Sequence, residues 1–126
     1  MKKICLCFQI HQPYRLRRYR FFDIGNSHYY TDDYLNEEVC ERIADTCYIP
    51  ANRMLLELLK AYPDFSVSFS ISGLAIEQME YYKPALIDSF KELAATGRVE
   101  FVAETYAHSV ASLYDPVEFR NQVRMQ

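Results

Sequence analysis

The sequence predicts an α/β protein built as a parallel βαβαβ series. Three stretches, residues 4–10, 65–72 and 98–103, have the composition of short strands, and segments with helical periodicity separate them. Consecutive parallel strands need such crossover connections, which are almost always right-handed. The chain has 126 residues and is 50% hydrophobic, which suits one globular domain with a packed core.

The first predicted strand runs from Ile4 to Ile10 with almost no polar interruption. This pattern is typical of a strand that is buried on both faces of a parallel sheet. Pro13 cannot donate a ladder hydrogen bond and biases Gln12 towards an extended conformation, so the strand ends there. Ligands bind at the carboxyl ends of parallel strands, which makes His11 and Gln12 candidate binding residues. The alternative is a histidine that only caps neighbouring carbonyl groups.

Residues 13–36 form a long predicted connection that is rich in aromatic and arginine side chains. Loops of this length are usually functional or disordered, and the many aromatic residues argue against disorder. Interleaved arginines and rings can bind single-stranded nucleic acid, but the acidic residues from Asp23 to Glu38 neutralise the basic run locally. Aromatic faces beside hydrogen-bonding groups also suit a carbohydrate cleft, because pyranose CH faces stack on rings.

The segment between the first two strands predicts two helices. Residues 37–47 carry one apolar stripe, and residues 51–62 carry another after Pro50, which suits the first position of a helix. Residues 65–72 then alternate strictly between apolar residues and serines, which predicts a second strand ended by Gly73. Its serine face would suit the crowded interior of a barrel.

Two more helices, a third strand and a last helix follow. A helix after the second strand is succeeded by another that starts at Pro84, with Gly97 as its left-handed C-terminal residue. The third strand occupies residues 98–103. Asp115 caps a last helix, with Glu118 at its third position, and this helix is still in progress at the final residue. Because domains rarely end inside a helix, we expect these residues to belong to a longer domain.

Polar side chains follow each strand, and all three strand ends lie on one edge of a parallel sheet. We therefore predict a pocket lined by six residues, namely His11 and Gln12 after the first strand, Ser72 and Glu77 after the second, and Glu104 and His108 after the third. Simpler explanations exist for three of these six residues. Glu77 could be a solvated first-turn carboxylate, Glu104 the partner of an arginine, and His108 a loop histidine with satisfied hydrogen bonds.

No cofactor and no metal are expected. His11, Glu104 and His108 are possible ligands, but the sequence has neither an HxH nor an HExxH spacing. The cysteine spacing fits neither zinc nor a disulfide, so we predict buried free thiols at Cys5, Cys7, Cys40 and Cys47. The net charge of −3 and the absence of a long apolar run predict a cytoplasmic protein without nucleic-acid or membrane partners.

At these residues the sequence resembles the N-terminal part of glycoside hydrolase family 57, the α-amylase and 4-α-glucanotransferase family. His11-Gln12-Pro13 matches the family's first signature, and residues 69–77, from Phe69 to Glu77, match its second. Residues 97–108 resemble the third-strand segment that lines the same cleft. Many members read His-x-His-Gln-Pro, whereas Gln9 takes the first histidine position here.

The resemblance implies an incomplete (β/α)7 barrel and a retaining enzyme that cleaves or transfers α-1,4-glucan chains. Retention uses a carboxylate nucleophile about 5 Å from a carboxylic acid. The family places both groups beyond Gln126, so residues 1–126 are expected to be the N-terminal part of one catalytic domain, inactive alone and prone to pair with another copy through open sheet edges. The substrate-binding candidates are then His11, in first place, and Gln12, Glu77, Glu104 and His108.

Two other functions stay open at this point. A (β/α)7 polysaccharide deacetylase would need an early Asp-Asp and a His-x-x-x-His metal set, but Asp32-Asp33 lies in a predicted loop and no such histidine pair is present. A non-catalytic module would bind glucan or a protein partner without turnover. These residues do not distinguish hydrolase, transferase and branching activity.

Overall fold

A sheet of three parallel strands organises the chain. In the computed structural model, which describes residues 4–126, the strands pair in the order β1 (Cys7–Ile10), β2 (Val67–Ile71) and β3 (Val99–Val102). Helical segments connect them, so the predicted parallel βαβαβ order is confirmed. The register places Phe8 opposite Phe69 and Phe69 opposite Phe101, which forms a row of rings on one face of the sheet.

β1 is shorter and less buried than the sequence predicts. Ile10 is buried, whereas Phe8 is 38% exposed and Ile4, which precedes the strand, is 89% exposed. β1 lies at an edge of the sheet, and the helices pack on the face that carries Phe69. The prediction of a strand buried on both faces is therefore wrong, because an edge strand with one covered face leaves Cys7 open to solvent.

One long helical segment joins β1 to β2, where the sequence predicts two separate helices. α1 (Asp33–Ile43) continues through a π-helical turn (Ala44–Tyr48) into α2 (Ile49–Ala61). The wider turn changes which side of the helical segment faces the core, so that Ala44 is buried and Cys47 is exposed.

The prediction of four buried thiols holds only for Cys40, which lies in the core at 3% exposure. Cys5, Cys7 and Cys47 are exposed, so the prediction is wrong for these three. Two of them belong to the open edge of the sheet, and the π-helical turn rotates the third away from the core.

β2 is the central strand and alternates as predicted. Val67, Phe69 and Ile71 are buried, and the serines between them lie on the opposite face. Two helices follow, α3 (Gly73–Tyr82) and α4 (Pro84–Ala95). The helices contribute most of the core beneath the strands, chiefly through Leu55, Leu59, Met79, Leu86, Phe90 and Leu93.

Two local predictions near the end of the chain are confirmed. Gly97 follows α4 with φ at +69°, the left-handed conformation that glycine adopts without a steric penalty. Asp115 caps α5 (Pro116–Met125) by accepting from the N–H groups of Val117 at 2.9 Å and Glu118 at 3.1 Å. Within residues 4–126, none of the helices has the length and apolar character needed to cross a membrane.

Candidate functional site

The ends of all three strands meet in one side-chain cluster. His11 follows β1 and His108 follows β3, yet their ring centroids lie 4.8 Å apart across the end of the central strand. Ser72, which follows β2, joins them through a 2.7 Å hydrogen bond to His11. The carboxyl edge of the sheet therefore brings together polar groups that are up to 97 residues apart in sequence, as the parallel order requires.

His11 is held as a neutral imidazole. Its Nδ1 lies 2.7 Å from the Ser72 hydroxyl, which also accepts the Ala75 N–H as the N-cap of α3. The serine hydrogen is free to be donated to Nδ1, and in that arrangement the imidazole hydrogen lies on Nε2. Burial lowers the pKa of His11, the nearby His108 lowers it further, and Glu104 opposes both effects. These effects favour the uncharged ring at neutral pH.

A buried carboxylate orients the second histidine. Glu104 Oε2 lies 2.7 Å from His108 Nδ1, and the Glu104 side chain is only 10% exposed. In a neutral imidazole, a carboxylate beside Nδ1 favours the hydrogen on that nitrogen, and Nε2 is then an acceptor. The other carboxylate oxygen, Oε1, is buried and makes no hydrogen bond to any residue between 4 and 126. Burying a carboxylate oxygen without a hydrogen bond costs free energy, so this arrangement lowers the stability of the folded protein.

Gln9 is a site neighbour that sequence reasoning noted only as a departure from the family signature. Its amide nitrogen lies 3.3 Å and 3.4 Å from the two ring nitrogens of His108. The side chain therefore lies against the imidazole and limits how far the ring can turn. The period of two along β1 was the available signal, because it places Gln9 on the same side of the strand as His11.

The backbone of His108 is strained. Its φ is +52°, in the left-handed region that favours glycine. The turn is closed by its N–H, which donates to the Thr105 carbonyl at 2.9 Å, and by the Ser109 N–H, which donates to the Thr105 hydroxyl at 2.7 Å. Strain of this kind costs about 1–3 kcal/mol and persists where the surroundings enforce it. It brings the imidazole back onto Glu104.

Gln12 lies outside the cluster, contrary to the predicted pocket lining. It is 5% exposed, and its amide donates to the Tyr48 hydroxyl at 3.0 Å while its side-chain oxygen accepts from Arg15 at 3.1 Å. Its backbone carbonyl accepts from the Gln78 amide at 2.6 Å. Its hydrogen-bonding groups thus join the first strand end to α3 and to the long loop.

Glu77 belongs to a separate tyrosine cluster. It lies on α3, is exposed, and accepts from the Tyr106 hydroxyl at 2.9 Å. Burial raises the pKa of Tyr14 to about 12, and the Glu77 carboxylate beside it contributes to the same shift. Two phenols that keep their protons beside one carboxylate would hold that carboxylate in a fixed orientation.

Gly73 has a second role that the sequence did not reveal. A Cβ at this position would lie 2.0 Å from the Tyr106 ring, which therefore packs directly on the glycine. The Leu74 N–H also donates to the Tyr106 carbonyl at 3.1 Å. The loop after β3 is thus fastened to the start of α3, which fixes Glu104 and His108 relative to Ser72.

Within residues 4–126, no group of three His, Cys, Asp or Glu side chains is placed to hold a metal ion. The Asp32-Asp33 pair considered for a deacetylase has a structural explanation. Asp32 caps α1 by accepting from the Leu35 N–H at 3.0 Å, and Asp33 is the first residue of that helix.

Comparisons with known proteins give the family of the chain. Residues 5–126 match the family model described as Glycosyl hydrolase family 57. This chain belongs to that family. A protein of Methanocaldococcus jannaschii named "Putative alpha-amylase" is 42% identical over 121 residues, which cover 94% of this chain and 26% of that protein. An α-amylase of Pyrococcus abyssi is 39% identical over 75 residues, covering 60% of this chain and 10% of the relative.

The fold has a solved counterpart. The 4-alpha-glucanotransferase from Thermococcus litoralis superposes over 99% of this chain and 16% of that enzyme, with a TM-score of 0.64 and 23% identity. At this identity the likeness concerns the fold, and it agrees with the expected portion of an incomplete barrel. The family 57 chain described here spans about a quarter or less of the length of these proteins.

Proposed function

We propose that this chain supplies part of the sugar-binding site of a retaining enzyme that acts on α-1,4-glucans such as starch, glycogen or maltooligosaccharides. Membership of family 57 and relatives named α-amylase support this function. The observation that carries it is the cluster of His11, Ser72, Glu104 and His108 at the carboxyl edge of the sheet.

The cluster has the chemistry of a hydroxyl-binding site. When the Ser72 hydroxyl donates to Nδ1, the neutral His11 offers an Nε2 hydrogen. The Glu104-bound His108 offers an Nε2 lone pair, which the Gln9 amide nitrogen also approaches at 3.4 Å. A sugar hydroxyl both donates and accepts, so a donor and an acceptor on two rings whose centroids lie 4.8 Å apart suit one glucose unit. His11 therefore ranks first as a substrate contact, His108 is its partner, and Glu104 orients His108.

The catalytic carboxylates are assigned elsewhere. Retention requires a nucleophile and an acid/base about 5 Å apart, and the family resemblance puts both beyond Gln126. Glu104 is engaged with His108 and Glu77 with Tyr106, which supports binding and positioning roles for them. Residues 1–126 are thus proposed to be the N-terminal part of a single catalytic domain.

The outer strands suggest a further property of the isolated chain. β1 and β3 each pair with β2 on one side only among the described residues. Unpaired strand edges are templates for pairing with another copy. We expect self-association that increases with concentration in sedimentation experiments, and a monomer at all concentrations would contradict it.

The binding proposal is tested with maltoheptaose. We expect saturable binding to the 126-residue protein, measured by calorimetry, and little binding of cellohexaose, whose linkages are β. His11→Ala should weaken maltoheptaose binding at least tenfold. Tyr62→Ala removes an exposed ring at the end of α2, near the opposite edge of the sheet, and serves as the control. Equal affinity in the protein and in His11→Ala would contradict the assignment.

Turnover is tested in the same samples. Because both catalytic carboxylates are assigned beyond residue 126, we expect bound maltoheptaose to remain uncut. Shorter or longer maltooligosaccharides would show that a carboxylate of this chain is catalytic. Glu77 and Glu104 would then be the first residues to replace.

A further inference from the structure

The loop between β1 and α1 exposes a group of aromatic rings. Phe21 is 79% exposed, Phe22 83%, Tyr29 69% and Tyr30 49%. These four residues are called the aromatic rim below. Single exposed apolar side chains are common on protein surfaces, but several large rings in one loop indicate a binding surface.

The rim is carried by an ordered loop. The Arg17 guanidinium donates to the Tyr29 carbonyl and, at 2.9 Å, to the Ser27 hydroxyl. The Tyr19 hydroxyl lies 2.8 Å and 2.6 Å from the carbonyl oxygens of Asp23 and Ser27. These contacts tie both sides of the loop together and hold the rings outwards without support from a hydrophobic core.

The loop begins beside the candidate site. The loop leaves the carboxyl end of β1 directly after His11, and Arg15 binds the buried Gln12 at 3.1 Å. It returns through an antiparallel bridge between Leu16 and Thr31 to the start of α1, which packs against α3. The loop that carries the rim therefore begins at the same edge of the sheet as His11 and His108.

We propose that the aromatic rim is a second glucan contact, which stacks on glucose units of the chain outside the His11 cluster. This rests on the proposed function. The uncharged CH faces of pyranose rings pack on aromatic faces, and the tyrosine hydroxyls and neighbouring arginines supply hydrogen bonds to sugar hydroxyls. A polymer that extends from the cluster along this loop would reach the rim. The rim would therefore set a preference for long chains.

The test compares the affinities of the protein for maltoheptaose and maltotriose. In Phe21→Ala/Phe22→Ala, the preference for maltoheptaose over maltotriose should fall by about tenfold, the effect of one or two lost ring contacts. The matched control is Tyr62→Ala. Tyr62 is 61% exposed and follows α2, and its carbonyl accepts from Arg98, which precedes β3 at the amino edge of the sheet. Its replacement should leave the preference unchanged.

The outcomes separate this proposal from the proposed function. If His11→Ala weakens binding of both sugars but the double phenylalanine variant keeps the full preference, the rim proposal is overturned and the proposed function stands. If neither sugar binds the unmodified protein, both proposals fail. If the double variant dissociates a dimer and binds both sugars normally, the rings form a contact between copies and the rim proposal is overturned.

Discussion

The helix-covered face of the sheet and its carboxyl edge use side chains in opposite ways. Phe69 is 2% exposed and has three aromatic neighbours, with ring centroids 5.3 Å away at Phe8, 5.5 Å at Phe90 and 6.1 Å at Phe101. At the carboxyl edge, by contrast, Glu104 Oε1 is buried without a hydrogen-bond partner in the described part of the chain, and His108 has a left-handed backbone.

Stability and binding therefore depend on different parts of the same sheet. The covered face gains stability by removing apolar area from water. The edge holds polar groups in orientations that cost free energy, which is common at binding sites because a ligand can use them. Replacements on the covered face should therefore affect unfolding, and those at the edge should affect binding.

The largest expected effect is on the covered face. Phe69→Ala should lower the free energy of unfolding by about 3–5 kcal/mol, because it leaves a cavity among three rings. Urea unfolding followed by circular dichroism measures the change. Phe21→Ala is the control, since that ring is 79% exposed and its loss should change stability by less than about 0.5 kcal/mol. Similar losses for both would mean that Phe69 is not the centre of the core.

The contact between Gly73 and Tyr106 links the two regions. Gly73→Ala should destabilise the protein by about 1–3 kcal/mol, because the new Cβ overlaps the Tyr106 ring. Either that ring or the start of α3 must then move. Adding Tyr106→Ala should recover part of this loss, since it removes the overlapping atoms. Losses that simply add in the double variant would show that the two residues do not meet.

The positive φ of His108 predicts a smaller effect on stability, in which the glycine variant is more stable than the alanine variant. His108→Gly should be more stable than His108→Ala by about 1 kcal/mol, because φ of +52° is strained for alanine and free for glycine. Both variants lack the imidazole, so their difference isolates the backbone. At Glu57, an exposed position inside α2, the order should reverse because glycine weakens helices. Greater stability of the alanine variant at position 108 would contradict the strain.

The smallest expected effect is a pH dependence from His11. Its pKa is lowered in the folded protein, so the unfolded chain binds more protons below about pH 6.5, the unfolded value. The free energy of unfolding should therefore decrease as the pH falls from 6.5 towards the folded pKa of His11. Above pH 6.5 this residue should cause no further change, because it is uncharged in both states. His11→Gln should remove this component from unfolding measured between pH 5 and 7.5. An unchanged slope would show that another group is responsible.

Several features could be predicted because they depend on residues close together in sequence. The alternation of β2, the left-handed Gly97 and the Asp115 cap each follow from a few neighbouring residues. The exposure of β1 could not be predicted, because it depends on whether another strand and helix lie beside it. The sequence also failed to predict which side of the helix is buried after Cys40, since a π-helical turn has no simple sequence pattern.

The candidate site divides in the same way. The sequence by itself determined that His11, Ser72, Glu104 and His108 come to one edge, because all strands run parallel and each ends in polar residues. Only the tertiary structure decided that Gln12 turns inwards to Tyr48, that Gln9 lies against His108, and that Tyr106 packs on Gly73. The physical reason is distance along the chain. Gln9 and His108 are 99 residues apart, so sheet register and side-chain packing set their contact, and local preference does not.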